Sequence, residues 1–428
     1  TFQLEWQDFK PLDQWIAAFE RLEARHPEFP SPEIERRVYS MLATLCHRQP
    51  QHPKLPMWTE RGLSLLQSCT EANQCIVLGV QLLIYYIWIG DLLRAGWVID
   101  VLRRLAQKPA IPPLVHTLWC VWEAMYFWCR GEHRTCLDLV AKGLEVSRTT
   151  DMHAWDSMLL TDAVYGSLVA GELEAAESFL RDLVSAIRTP IDCEIYHLLS
   201  ALVAQQYGDF ALGFEHARQG LAISIEMGTP FPQALNRIIL ALLLFERGED
   251  NEGTEHLGKA RAIGRAMSSR LIEYLCLLTE AKITLERGQA DPGLTYLRRA
   301  LTLSRECGGL VVGWWGPQHM ARLYVAALEA DIEVPYVQTL IRRMNLTPPD
   351  PENAPESWPW PVRIYTLGRF EILIDGEPLR FSGKAQRKPL ELLKALIALG
   401  GEAVPESRLC DVLWPESDGD SAHRDFAV

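Results

Sequence analysis

The sequence predicts a mainly α fold, a solenoid of helical hairpins followed by a small, partial α+β module. Three observations carry this reading. Glycines close apolar helical segments at a nearly fixed interval, the positions after each glycine are first small and then apolar, and beyond a proline-rich stretch the apolar period changes from helical to alternating.

The glycines are Gly90, Gly131, Gly171, Gly208, Gly248 and Gly288, spaced 41, 40, 37, 40 and 40 residues apart. Five positions after each stand Ala95, Cys136, Ala176, Gly213, Gly253 and Gly293, all small; nine after stand Ile99, Val140, Leu180, Ala217, Leu257 and Leu297, all apolar. Glycine suits a left-handed or extended turn after the first helix of each pair. The small residue then lets the second helix approach the first, and the apolar residue four positions on lies on the same face. Each pair is amphipathic alone and buries its face against the next.

An earlier, degenerate unit starts a helix at Ser31-Pro32, a cap followed by proline in the first turn, and keeps the rhythm at Gly62, Leu66 and Cys69. The last pair, from Val312 to Met344, lacks the glycine; its GGLVVGWWG opening reads as a turn and helix start. This layout resembles the tetratricopeptide-repeat family in its longer variant, as in the helical sensor arms of MalT-like regulators. The likeness runs over roughly residues 30 to 345, without the Trp, Leu-Gly and Tyr signature of the 34-residue form.

From 346 to 361 the chain reads LTPPDPENAPESWPWP, a density of proline that ends the helices and predicts an extended, fairly stiff linker between a repeat region at 1–345 and a module at 362–428. In the module, VRIYTLG, FEILIDG and PLRF read as three short strands. Phe370, Ile372 and Ile374 alternate with polar neighbours, and Asp375-Gly376 is a two-residue hairpin signal. A helix from about Arg387 to Leu399, Gly400-Gly401, a second helix in PESRLCDVLW and the start of a third near Asp420 follow.

That order and the wording LGRFEILIDGEPLRF, GKAQRKPLELLKALIALGG, VPESRLCDVLWPE and DSAHR resemble the OmpR-type winged-helix domain of bacterial transcriptional activators related to SARP proteins. The resemblance implies that the strands form the amino-terminal sheet of a DNA-binding domain, that the third helix enters the major groove and that a hairpin wing follows. Residue by residue it implies DNA contacts near Arg387, His423 and Arg424, with Arg424 a phosphate contact by charge and position. Gln386 falls at the start of the first helix and Trp414 closes the second. The base-reading positions lie mostly beyond Val428. Arg380, Lys384, Arg387, Lys388 and Lys394 against Glu391 make a local basic patch, readable as phosphate-neutralising or as a solvated helix face. For Trp414, core packing outweighs DNA contact.

A formal charge of −13 argues against a basic clamp spread over the surface, so DNA contact is local. Ten cysteines without a CxxC pair suggest neither a zinc knuckle nor a disulfide framework, which fits a reducing cytoplasm. The most apolar run, at 75–90, contains Gln81 and is too short for a membrane span, so it reads as a buried helix and the protein as having no membrane partner. The abrupt start and stop fit a piece of a larger protein, and regulators resembling this one carry a nucleotide-binding domain before the arm. No phosphate-cradling loop, nucleophile elbow or HExxH occurs, so no catalytic or cofactor-binding residues are assigned and the chain is not read as an enzyme.

Two clusters remain. His116, Cys120, Cys129, His133 and Cys136 lie close in sequence, but buried cysteines are common in helical cores and no chelating loop joins them; no metal site is assigned, nor for Cys46, His47 and His52. Trp119, Trp122 and Tyr126 share a helix face that includes Glu123, with Trp88 one repeat earlier. On a concave surface these five would form a groove for a partner or effector. As inter-repeat packing, the weightier alternative, they supply core burial.

The sequence thus reads as a signal-receiving arm joined to the start of a DNA-binding domain in a bacterial cytoplasmic transcriptional regulator, whose partners are DNA, a protein or small effector and, through self-association, further copies. The alternative is a protein-interaction scaffold without sequence-specific DNA binding.

Overall fold

The computed structural model of the chain describes residues 8–42, 45, 47–106, 111–311, 314–380, 387–416 and 426. Among them run nineteen helices and three strands, divided into two compact units, Thr1–Trp358 and Pro359–Val428.

The first unit opens with α1 (Leu12–Arg25), α2 (Pro32–Leu42) and α3 (Leu55–Gln67). Six hairpins follow: α4 (Ala72–Ile89) with α5 (Leu92–Ala106), α6 (Pro113–Trp128) with α7 (His133–Thr150), α8 (Asp156–Ala170) with α9 (Leu173–Ala186), α10 (Pro190–Gln206) with α11 (Phe210–Met227), α12 (Pro230–Glu246) with α13 (Asp250–Ala266), and α14 (Arg270–Glu286) with α15 (Ala290–Glu306). A last pair, α16 (Gly316–Glu329) and α17 (Val334–Met344), closes the unit. Every repeat glycine sits in the turn inside its hairpin at φ between 73° and 80°, which is why a Cβ is disfavoured there. The small positions that follow are buried, as are Ile99, Val140, Leu180, Ala217, Leu257 and Leu297 one helical turn on.

The two helices of a pair are not equivalent. Second helices bury one stripe, as α9 does with Ala176, Leu180 and Leu183. First helices are buried nearly all round: α8 is covered without a break from Leu159 to Val169. The cause is a coil that returns on itself. First helices touch across the unit, α4 against α14 and α8 against α16. The hairpin turns of early repeats dock on the junctions between late ones. Arg48 donates to the Gly228 carbonyl, Ser269 Oγ to that of Trp88, and Arg130 to that of Gly308, at sequence separations of 180, 181 and 178 residues. Leu92 N bonds Cys307 O, Val311 N bonds Cys129 O, and Trp88 stacks on Phe231 at 4.2 Å between centroids. One superhelical turn rests on the next along this seam.

The seam divides the six repeat glycines. A Cβ on Gly90 would stand 2.7 Å from the Leu271 backbone nitrogen, on Gly131 3.0 Å from Met344 Cγ, and on Gly171 2.6 Å from Pro317 Cγ. On Gly208, Gly248 and Gly288 it would meet nothing within 4 Å.

Three expectations change. The proline-rich segment is not a free spacer through its whole length: the unit boundary falls after Trp358, whose indole is 1 % exposed, and Gln338 Nε2 donates to the Ser357 carbonyl at 2.8 Å. Proline stops the helix, but an aromatic directly before the next proline still finds core to bury in. Second, Cys69 and Cys75 form a disulfide across the turn between α3 and α4, Cα atoms 5.8 Å apart, so the cysteine argument for a reducing compartment falls. Third, the apolar run at 75–90 belongs to an 18-residue helix, α4, long and apolar enough by composition to cross a membrane; in this fold most of it is covered by neighbouring helices.

The second unit is an antiparallel meander, β1 (Val362–Tyr365), β2 (Glu371–Ile374) and β3 (Glu377–Pro378), followed by α18 (Arg387–Ala398) and α19 (Glu406–Leu413). Val362 pairs with Ile374 and Ile374 with Glu377. Asp375 (φ 50°) and Gly376 (φ 87°) form the two-residue turn with both residues left-handed, which matches strand twist. Ala395, Leu409 and Leu413 make the core of the helix pair, with Leu392, Leu396, Val404, Trp414 and Phe426 packed around it. The third helix expected near Asp420 lies outside the described residues except for Phe426.

Candidate functional site

The returning coil decides the fate of the aromatic face. Trp88, Trp119, Trp122, Glu123 and Tyr126 are all buried, none more than 8 % exposed, so they do not line an open concave groove; Tyr126 packs against Gly96 of α5, and Trp88 enters the seam. The groove expectation is corrected to packing. Glu123 is the polar member: it accepts from Arg103 Nε at 2.9 Å, and burial pushes its carboxyl up against the pull of that guanidinium.

Of the cysteine and histidine cluster, His116 Nδ1 contacts Cys120 Sγ at 3.7 Å, and Cys136 Sγ points to the Asp162 carbonyl oxygen. Burial holds the thiols of Cys120, Cys129 and Cys136 above their ordinary value, so they are protonated packing groups rather than thiolates. Among the described residues no three potential ligands converge. His47 is buried between Phe9 and Trp88, stays neutral with its pKa lowered to about 4 by burial, and His52 stacks on Trp58; Cys46 lies outside the described residues.

An open groove does exist, on the outside, between α9, α10 and α11. Its position follows from local chemistry. Thr189 and Asp192 form a reciprocal cap that starts α10 at Pro190, and the Asp209 carboxylate accepts from Leu212 N to start α11. The groove holds about 390 Å³. Its floor is Tyr196, Val203 and Ala204 of α10; Val184, Tyr207 and Leu212 stand on its rim at 52 %, 51 % and 49 % exposure. Beside it His197 and His216 meet Nδ1 to Nδ1 at 2.9 Å, one ring donating to the other. Burial lowers both imidazoles below their ordinary range, and for His197 the neighbouring ring adds to this, so the pair is neutral near pH 7. The surface is an apolar trough with mixed charge at its edge, from Glu177, Arg181 and Asp209. It offers side-chain burial and hydrogen bonds; the Ser200 hydroxyl among its lining already donates to the Tyr196 carbonyl. Sequence reading missed it; the available signal was Val184 and Leu212, apolar residues one position off the buried stripes of α9 and α11.

In the second unit, Arg387 opens α18; its side chain, with Gln386, His423 and Arg424, lies outside the described residues. Lys388 is described and turns out to be engaged. Its ammonium donates to the Leu413 carbonyl at 3.0 Å, lies 3.3 Å from Glu391 and sits 4.8 Å from the centre of the Trp414 ring. It therefore clamps the end of α19 to α18, with part of its charge already matched. Trp414 is half-buried against the helix-pair core, and Lys394 lies over Phe370 at 4.5 Å.

The arm has the fold of tetratricopeptide-type helical repeat proteins. It is similar to a Rap protein complexed with competence and sporulation factor, with a TM-score of 0.50 and 10 % identity over 74 % of this chain and 88 % of that one. Less similar are a signal transduction ATPase with numerous domains and a tetratricopeptide repeat sensor from Pyrococcus horikoshii (TM-score 0.40, 12 % identity, 73 % of this chain and 47 % of that) and aspartyl phosphate phosphatase F from Bacillus subtilis (0.40, 10 %, 74 % and 85 %). No family model matches the sequence, and no curated protein matches it.

Proposed function

We propose that the chain is the signal-receiving repeat arm and the start of the DNA-binding domain of a bacterial transcriptional regulator, with the α9–α11 groove as the surface that takes a partner. The observation that carries the groove is its three exposed apolar rim residues over an apolar floor, on an arm whose interior is filled. The Rap protein of the same fold is complexed with a factor, and a comparable role as receiver is proposed here. For the second unit, the support is a meander and two packed helices in the order that the winged-helix resemblance requires. The reading assigns the chain no catalysis and places it in the cytoplasm, acting with DNA and, through self-association, with its own copies.

The test of the DNA assignment is enrichment from a random duplex pool by the full-length protein, followed by titration against salt. Selective enrichment with affinity that falls steeply with salt is expected. An unenriched pool at low salt would remove DNA from the proposal and leave the scaffold reading, which the exposed groove favours. For the groove, Leu212→Glu combined with Val184→Glu is expected to leave the unfolding free energy within about 1 kcal/mol, since both side chains face solvent. The same variant should weaken capture of the partner, or response of a reporter to its signal, at least tenfold. A full response in the double variant would rule the groove out.

A further inference from the structure

A second open site lies on the seam itself. Where the end of α17 meets the start of α7, a cleft of about 560 Å³ is lined by Glu132, His133 and Arg134 from one superhelical turn and Arg342, Arg343 and Asn345 from the next. Its charge is lopsided for a chain of net −13. Glu132 is already matched, 2.8 Å from Arg130. Arg134 and Arg342 are exposed and, among the described residues, have no carboxylate partner, while Arg343 spends one nitrogen on the Arg130 carbonyl at 3.4 Å. Elsewhere on the arm several guanidinium groups are paired, such as Arg61 with Glu35, Arg261 with Glu280, Arg287 with Asp250 and Arg305 with Glu333. The carbonyl end of α17 works against an anion, but two of its last four carbonyls, those of Ile341 and Arg342, already accept from Leu346 and Asn345.

Three guanidinium groups lining one cleft, two of them unspent, beside a single carboxylate that Arg130 already matches, are the chemistry that holds a dianionic oxyanion through paired N–H donors. The volume falls in the range of small-molecule sites, roughly 300–1,000 Å³. We infer that this cleft binds the phosphoryl group of a small phosphorylated ligand, and that occupancy ties one superhelical turn to the next. The site is separate from the α9–α11 groove and stands whether or not that groove takes a partner.

The experiment is calorimetric titration of the whole chain with pyrophosphate, inorganic phosphate and malonate, with ionic strength held constant by chloride, alongside thermal unfolding in each. Pyrophosphate is expected to bind saturably below about 1 mM and to raise the unfolding midpoint by the linkage of binding to the folded state. Arg134→Gln with Arg342→Gln, both at exposed positions, should weaken pyrophosphate at least tenfold, while Arg181→Gln in the other groove leaves it unchanged. An unmodified chain that shows no saturable binding, or the same midpoint in pyrophosphate as in chloride, overturns the site. So does equal binding by the double variant with unchanged circular dichroism. Malonate binding as tightly as pyrophosphate overturns the phosphoryl assignment.

Discussion

Gly90→Ala is expected to destabilise the repeat arm by roughly 3 kcal/mol or more, whereas Gly288→Ala, the same substitution at the same repeat position, is expected to cost only about 1 kcal/mol. Both glycines are left-handed, at φ 80° and 73°, so both variants carry the backbone strain of an alanine there. Only at Gly90 does the new methyl also meet main chain, the Leu271 nitrogen at 2.7 Å, which cannot move aside as a side-chain tip can. Relief requires the seam to open, and with it the bond from Ser269 Oγ to the Trp88 carbonyl and the stacking of Trp88 on Phe231. Chemical denaturation of the two variants beside the parent checks this; equal losses would mean that the turns do not press on each other at Gly90.

Replacing Glu194 with glutamine is expected to stabilise the protein above neutral pH and to flatten its pH dependence. Glu194 is 2 % exposed, on the inward side of α10, and accepts a hydrogen bond from Asn236 Nδ2 at 2.5 Å. Burial pushes its carboxyl up to about 8, with the Asn236 hydrogen bond pulling the other way. The unfolded chain releases this proton near pH 4.5, so the folded state binds more protons between about 4.5 and 8. The group's contribution is therefore full below 4.5 and is lost as pH rises through 8. Glutamine cannot ionise, and its amide has the Asn236 Oδ1, buried without a hydrogen bond among the described residues, as an acceptor. A gain larger at pH 8.5 than at pH 6 by roughly 2–3 kcal/mol, shrinking toward zero only below about pH 4.5, is the outcome expected from denaturation at the three values. Parallel pH curves for parent and variant would sink the assignment.

What the repeat reveals and what it conceals come from the same residues. The 40-residue spacing, the small positions and the Asp375-Gly376 turn were legible because each is a local rule: a left-handed turn, close helix approach within a hairpin, strand twist. The disulfide between Cys69 and Cys75 was not, since six residues of separation say nothing about whether two helix ends place the sulfurs together. Nor was the engagement of Lys388, whose basic character reads alike whether it faces phosphate or caps the end of α19. Trp88, Trp119, Trp122 and Tyr126 carry the pattern of a binding wall and of a core equally well, because a helix face shows which residues lie together and not what covers them.

The sequence alone determined that this chain is a helical-hairpin array followed by a three-stranded meander and two helices, because hydrophobic period, turn chemistry and small-residue spacing act over a few residues and leave their mark there. Only the tertiary structure decided that the array coils back on itself, that its inner helices are sealed, and that its open surfaces include an outer trough and a basic cleft at the seam. Those outcomes rest on contacts about 180 residues apart, set by small rotations added repeat upon repeat, and no single repeat records the sum.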